Sequence, residues 1–500
     1  MSLKSMIGHW LAVRTVKRES LKAAYGPANQ QRVFDQLVAR GASSHFGRDH
    51  GLRAGMTHAE FCASVPIRDY EKLKPWVDRA VNGESDILWP GVPLYFCKTS
   101  GTTSGAKFIP ITRESMSNHI NSARNALLHY IANSGSAQLL DGKMMFIQGS
   151  PVLHRTQGGT PLGRLSGIVA HHIPRYLQSN RLPSMASNSV EPWEAKIEAI
   201  VEETKDEDMR LISGIPSWVQ NYFERLLEVT GARNVREVFP NLELFVYGGV
   251  AFSPYRERFR DLIGSDVRSV ELFPASEGFF AYQDELESTG LRLNVGEGIF
   301  FEFIPASEYF EKTPSRLTLG QVELGVQYAL VVTSNAGLWA YDVGDTVKFT
   351  SVEPYRLVVT GRIKHFTSAF GEHVIAEEVE GALYDALARF GGAVAEFHVA
   401  PQVNPDAGLP YHEWFVEFTE VPEDEEAFAA EVNAGVVERN PYYKDLMTGG
   451  ILRPAELTQV KRGTFNVAMA SLGKLGGQNK PPRLANGRDF AVALEKSMIA

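Results

Sequence analysis

A chain of 500 residues, 44% hydrophobic and 22% charged, exceeds what one hydrophobic core ordinarily accommodates, so two or more domains around a large apolar interior are expected. A formal net charge of −9 argues against binding along a nucleic-acid phosphate backbone. The two cysteines, Cys62 and Cys97, form no CxxC pair and supply neither a disulfide framework nor a cysteine-rich zinc site, which fits a reducing cytoplasm; no apolar run reaches the roughly eighteen residues a membrane span needs.

The N-terminal stretch Met1 to Ser20 mixes Lys4, His9, Arg14, Lys17 and Arg18 with apolar residues and reads as an amphipathic helix rather than a leader peptide. Leu94 and Phe96 belong to a buried strand that leads into Thr99-Ser-Gly-Thr-Thr-Ser-Gly-Ala-Lys107. Gly101 and Gly105 permit backbone N–H groups to converge on phosphate oxygens, Ser100, Thr102, Thr103 and Ser104 add donors, and Lys107 adds a point charge. The spacing is not that of a P-loop, because only three residues separate the glycines and Ala106 precedes the lysine. Such a run serves either a triphosphate or a polar surface turn. Phe108-Ile-Pro110 leads out to a helix capped by Thr112, with Met116, Ile120, Ala123, Leu127 and Ile131 on one face.

Strands are expected at Lys143 to Gln148, Leu242 to Tyr247, Ser269 to Phe273, Ile299 to Ile304 and Tyr328 to Thr333, alternating with helices such as Trp193 to Thr204 and Ser217 to Thr230. This alternation is the pattern of an α/β protein. Ser150 to Asn188, rich in Gly, Pro, Ser and His, reads as a long loop near a site, and its His154, His171 and His172 read as hydrogen-bonded structural histidines. Phe279-Phe280, Phe300-Phe301 and Trp339 read as core.

Phe273-Pro-Ala-Ser-Glu277-Gly is a strand ending in a carboxylate, either a hard oxygen ligand for magnesium at a crevice or a surface glutamate in a turn. In Tyr341-Asp-Val-Gly344-Asp345, an aspartate after a glycine turn either accepts two ribose hydroxyls or is a plain turn residue. Beyond Gly361-Arg362 a new unit starts, with helices at Ala376 to Phe390 and Asp424 to Arg439 and strands at Phe397 to Ala400 and Trp414 to Phe418.

In this order the pieces resemble the adenylate-forming superfamily of acyl-CoA synthetases, luciferases and peptide synthetase adenylation domains. Within it, Pro66-Ile-Arg-Asp-Tyr-Glu-Lys-Leu-Lys-Pro75, Ala275-Ser-Glu-Gly-Phe-Phe280, Glu323 to Thr333, Ala336-Gly-Leu338, Tyr341 to Asp345 and Gln478-Asn-Lys-Pro-Pro-Arg483 resemble the auxin-responsive acyl acid amido synthetases, from about residue 60 to about 485. The resemblance implies an α/β fold, with a large N-terminal adenylate-forming domain over residues 1–362 and a smaller, mobile α+β C-terminal lid over residues 363–500. It implies a ligase that uses ATP and Mg2+ to adenylate a carboxylic acid and passes the acyl group to an amine, in that family usually an amino acid, with neither nucleic acid nor membrane as partner.

Carried over by position, Ser100, Gly101, Thr102, Thr103 and Lys107 hold the triphosphate, while Gly248, Gly249, Val250 and Ser276 line the adenine. Glu277 carries magnesium and Asp345 the ribose. Arg362 sits at the hinge, and Lys480 swings onto the phosphates. Asp342 stands where plant members carry arginine, the phosphate loop is one residue shorter, and the acyl-pocket region departs from the plant hormone enzymes. An acyl-CoA ligase shares the first half of the reaction, and a non-catalytic nucleotide-binding regulator is the alternative outside catalysis. The second lysine, Lys480, favours catalysis, since a pure binder needs none. The motifs leave open the acid, the amine, the oligomeric state and a general base, for which His365 and His373 are among the possibilities.

Overall fold

The computed structural model describes all residues except 1–2, 101–105, 174–177, 191–192, 250–251, 253–254, 364–365, 368–369, 371, 373, 404, 449–451, 475–479, 486 and 500. The chain divides into two compact units, Met1–Val343 with Lys348–Val358, and Gly344–Val347 with Val359–Ala500.

The first unit is built on a mixed sheet with the strand order Ile299–Pro305, Gln327–Ser334, Leu338–Val352, Tyr355–Arg362, Leu291–Leu293, Gly278–Tyr282, Arg268–Ala275, Leu244–Gly248, Met209–Ser213, Lys143–Phe146, Arg181–Leu182. The strands from Arg268–Ala275 to Arg181–Leu182 run parallel, and their neighbours Gly278–Tyr282 and Leu291–Leu293 run antiparallel. Parallel strands need crossovers, and the Pro216–Thr230 and Arg256–Ile263 helices make them. Period-two alternation then divides the strand residues between two layers. Met145, Ile212, Phe245 and Tyr247 face a core shared with Tyr222 and Phe259 of the crossover helices and Ile200 of the Trp193–Thr204 helix. Met144, Leu211, Leu244 and Val246 face the other core, completed by Ala126 and Tyr130 of the Arg113–Ser134 helix and Ala12 of the Leu3–Ala24 helix.

The expected helices at Trp193–Thr204 and Ala376–Phe390 match end to end, and the strand ends shift by at most four residues. Thr112 caps its helix in a reciprocal box with Ser115. The segment read as a long loop instead carries the strands His154–Arg155, Pro161–Gly163 and Arg181–Leu182 and the helices Leu165–Ala170 and Met185–Asn188. Elements this short leave no readable period and form only because they pair with distant strands. Pro161–Gly163 runs parallel to Tyr95–Ser100, which pairs antiparallel with Ala106–Ile111. Asp345 also departs from expectation: it lies within the Leu338–Val352 strand, where Gly344 at φ +83 supplies a local bend without ending the strand.

The second unit places the strands Ala393–Gln402, Tyr411–Glu420 and Glu456–Val460 between two helical layers. Phe397, Val399, Trp414 and Val416 face the Ala376–Phe390 and Glu425–Arg439 helices, whereas Ala400 and Phe415 face Thr464–Ser471 and Asp489–Ile499. Asp424 caps the second of these helices through the Ala427 N–H at 2.9 Å.

A buried charge cluster fixes the Ile299–Pro305 strand of the first unit. Glu302 is fully buried, and the Arg316 guanidinium donates to both of its oxygens at 2.8 Å, while His58 Nε2 lies 2.8 Å from Oε1. Cys62 completes the one group with metal-ligand spacing among the described residues. The bidentate arginine already satisfies the carboxylate, and burial pushes the Cys62 thiol up to about 12, so the cluster is an ion pair rather than a metal site. Arg316→Met is expected to destabilise the protein by about 3–5 kcal/mol, because it strands a buried charge. Adding Glu302→Leu should recover much of that loss; chemical denaturation of both variants measures it.

Candidate functional site

The sequence-derived carboxylate sits in a defined place. Arg268–Ala275 and Gly278–Tyr282 form a tight hairpin with Ala275 opposite Gly278, so Ser276 and Glu277 are its two-residue turn. This turn projects from the carboxyl end of the parallel strands, where open α/β sheets hold their ligands. The neighbouring Leu244–Gly248 strand ends beside it. A side chain at Gly248 would come within 2.6 Å of the Leu272 carbonyl, so only glycine fits, and Gly249 follows at φ +78.

The hairpin is held from the helix that follows the glycine-rich loop. Asn118, 2% exposed, accepts the Phe279 N–H at 2.7 Å and donates to the Phe279 carbonyl at 3.1 Å. Asn294 donates to the same carbonyl at 2.9 Å and to Ser122 Oγ at 3.1 Å. On the other edge of its strand the ladder with Leu291–Leu293 reaches only Ala281 and Tyr282, so side chains complete what it leaves unmade at Phe279.

Side chains then connect the carboxylate to the loop. Tyr341, 2% exposed, donates its hydroxyl to Glu277 Oε1 at 3.4 Å. Burial first, then the Glu277 charge, drives the Tyr341 pKa well above its ordinary value, so it remains a donor. Tyr70 belongs to the same neighbourhood: its hydroxyl accepts the Phe108 N–H at 2.9 Å, and Lys107 Nζ lies 5.7 Å from the centre of its ring. The backbone bonds Arg68 N–H to Ala340 O at 3.0 Å and Asp342 N–H to Arg68 O at 2.8 Å join the two tyrosine-bearing segments. On the other side Cys97 Sγ donates to Ser276 Oγ at 3.2 Å, and burial pushes that thiol up to about 12, so it packs rather than reacts.

The first unit therefore brings Lys107, Ser276, Glu277, Gly248 and Gly249 to one end of its sheets. Gly101, Thr102, Thr103 and Val250 lie outside the described residues, as do His365 and His373 and the side chains of Ser100 and Arg362. Asp345, Arg362 and Lys480 belong to the second unit. There Arg483 donates to Glu396 at 2.6 Å and lies over the Phe397 ring at 4.7 Å. Lys480 is exposed, yet desolvation of its ammonium and the nearby Arg483 charge bring its pKa down to about 8, against the opposite pull of Glu396 and Glu380.

Asn118, Tyr70 and Tyr341 carry no sequence signal for these contacts: both tyrosines lie in recognisable motifs, but nothing along the chain marks their hydroxyls as converging. His171 and His172 carry the expected hydrogen bonds, to the Pro151 carbonyl at 2.9 Å and near the Tyr95 hydroxyl at 3.1 Å. Among the described residues no helix is long and apolar enough to cross a membrane.

Three descriptions of one family match the chain: the GH3 family N-terminal domain over residues 20–194 and 179–267, its central domain over 293–362 and its C-terminal domain over 377–489. Among relatives, jasmonoyl–L-amino acid synthetase JAR4 of Nicotiana attenuata is 22% identical over 64% of this chain and 66% of its own length. Indole-3-acetic acid-amido synthetase GH3.3 of Arabidopsis thaliana is 22% identical over 94% of this chain and 91% of that protein. The solved structure of AtGH3.15 acyl acid amido synthetase in complex with 2,4-DB superposes with a TM-score of 0.80 at 16% identity, over 98% of this chain and 96% of that one.

Asn118→Ala should lower stability by about 1–3 kcal/mol, the range for orphaning a buried polar group. Hydrogen exchange at the Phe279 amide should accelerate with it; unchanged protection there would show that the hairpin is fixed by other means.

Proposed function

The chain belongs to the GH3 family, and on that premise we propose that it is an ATP-dependent acyl acid amido synthetase acting on a carboxylic acid and an amino acid. The observation that supports this best is the Ser276-Glu277 turn at the carboxyl end of the parallel strands, linked through Tyr341 and Tyr70 to Lys107 beside the glycine-rich loop. A carboxylate oxygen attacks the α-phosphorus of ATP and pyrophosphate leaves; the amine nitrogen then attacks the acyl carbon and AMP leaves.

Negative charge builds on the phosphate oxygens in the first step, and fixed donors and cations lower its energy. We assign that work to Lys107 and the donors of Ser100, Gly101, Thr102 and Thr103, with Lys480 contributing from the second unit. Gly248, Gly249, Val250 and Ser276 take the adenine, and Asp345 and Arg362 the ribose. Bound magnesium supplies further charge neutralisation, and Glu277, held in place by Tyr341, is the carboxylate of the hard-oxygen type that suits it. Tyr341 keeps its proton because of burial, so it orients the carboxylate without competing for it as a base. The adenylate is a mixed anhydride, and exclusion of water while the amine enters is the task we assign to the second unit. A reducing cytoplasm supplies both ATP and amino acids.

Incubation with Mg2+-ATP, pooled carboxylic acids and pooled amino acids, with CoA in a parallel tube, is expected to yield AMP and a new amide mass. A thioester formed only with CoA would move the chain to the ligase branch, and absence of AMP would leave a nucleotide-binding regulator. A second expectation concerns pH. Lys480 binds phosphate as its ammonium, and with a pKa of about 8 it loses that charge as pH rises through 8. Pyrophosphate release should decline there, and Lys480→Arg, which stays charged, should move the decline upward by about a unit or more.

A further inference from the structure

Beside the Ser276-Glu277 turn lies a group of polar side chains that the adenylation chemistry leaves unused. Pro161–Gly163 runs parallel to Tyr95–Ser100 with Gly163 opposite Cys97, and this register delivers Arg164 alongside Cys97. The Arg164 charge is felt at Cys97, the Leu165 N–H is directed at the same sulfur, and Cys97 in turn bonds Ser276. Arg164 is half-buried and has no hydrogen-bond or ion-pair partner among the described residues.

Its neighbours repeat the pattern. The Arg164 side chain lies across Gly149: a Cβ at that position would sit 2.7 Å from its Cδ and 3.5 Å from both Nη1 and Ser166 Oγ. Ser166 Oγ and Gln148 Nε2, adjacent to Gly149 in chain or space, are buried donors with no partner among the described residues. Lys196, 4% exposed, donates to the Gln148 carbonyl at 2.7 Å and so fixes the backbone from which the Gln148 side chain springs. Buried donors are nearly always satisfied. Two such donors left open on residues next to Gly149 in chain or space, with the Arg164 guanidinium across that glycine, describe a site built for an anionic oxygen ligand.

We propose that Arg164, with Gln148 and Ser166, is a specificity subsite for a carboxylate that the reaction does not consume, borne either by the acid substrate as a second acidic group or by the amino acid as its α-carboxylate. This rests on the amido synthetase reading. Gly149 belongs to the subsite because any side chain there would displace the guanidinium. A subsite of this kind selects polar substrates, since leaving its donors unpaired against an uncharged analogue is penalised more heavily than a lost apolar contact.

The test is Arg164→Met, with Gln148→Leu as a second variant, assayed for pyrophosphate release against dicarboxylic and monocarboxylic acids, and for amide formation against amino acids and their amides. Each variant should raise one KM roughly 10- to 100-fold, the span of a charge-assisted hydrogen bond. A rise in the KM for dicarboxylic acids locates the anion on the acid. A rise for amino acids but not for their amides locates it on the acceptor. If neither KM rises in variants that melt within a few degrees of the native protein, the subsite is overturned. If the native protein releases no pyrophosphate with any acid, it is the amido synthetase reading that fails.

Discussion

Asn118 is the residue on which the geometry of the site turns. Its side-chain amide bonds both backbone groups of Phe279, two residues after Glu277 in the hairpin that presents Ser276 and Glu277, and it stands on the helix that follows the glycine-rich loop. The ladder with Leu291–Leu293 reaches only Ala281 and Tyr282, so the outward backbone groups of Phe279 depend on side chains. The loop-bearing segment and the carboxylate-bearing segment are thereby locked in register by side-chain hydrogen bonds in a dry interior, where such bonds are strong and their loss is costly. Preorganisation of this sort matters for a reaction whose transition state is mostly redistributed charge: donors and cations must already stand where the charge will appear.

The surroundings of the carboxylate are arranged to leave its chemistry undisturbed. Tyr341 keeps its proton, and Cys97 is held as a thiol far from the range in which it would attack an activated acyl group. A mixed anhydride formed beside a reactive thiolate would be intercepted; a buried thiol bonded to Ser276 avoids that loss. Low local dielectric achieves both effects, by disfavouring every charge except those with a specific partner.

The second unit answers a different requirement. Glu380 and Glu396 are partly buried carboxyl groups whose pKa values are pushed upward by desolvation, partly offset by Arg483 and Lys480. Arg483 holds Glu396 and stacks on Phe397, so the segment carrying Lys480 is anchored on one side of the lysine. The lysine itself remains exposed. An anchored base with an exposed cation suits the phosphate-binding role proposed for Lys480, and its lowered pKa ties its charge to pH within the physiological range.

Much of this was legible along the chain because it depends on local periodicity and on motifs whose chemistry is carried by contiguous residues. Thr112 announced its helix by capping, the α/β alternation announced the layered sheet, and the loop with Lys107, the strand end with Glu277 and the motif around Asp345 suggested the nucleotide site proposed above. The short strands and helices between Ser150 and Asn188 were not legible, since two- and three-residue strands have no period and exist only through pairing with Tyr95–Ser100 or the main sheet. Nor was the strand running through Asp345, where Gly344 bends the backbone without ending it. Sequence by itself determined the fold class, the family and the chemistry on offer. Tertiary structure alone decided which hydroxyls and amides converge on Glu277, and that Arg164 comes to lie beside Cys97, because those contacts join residues tens to hundreds of positions apart that no local rule relates.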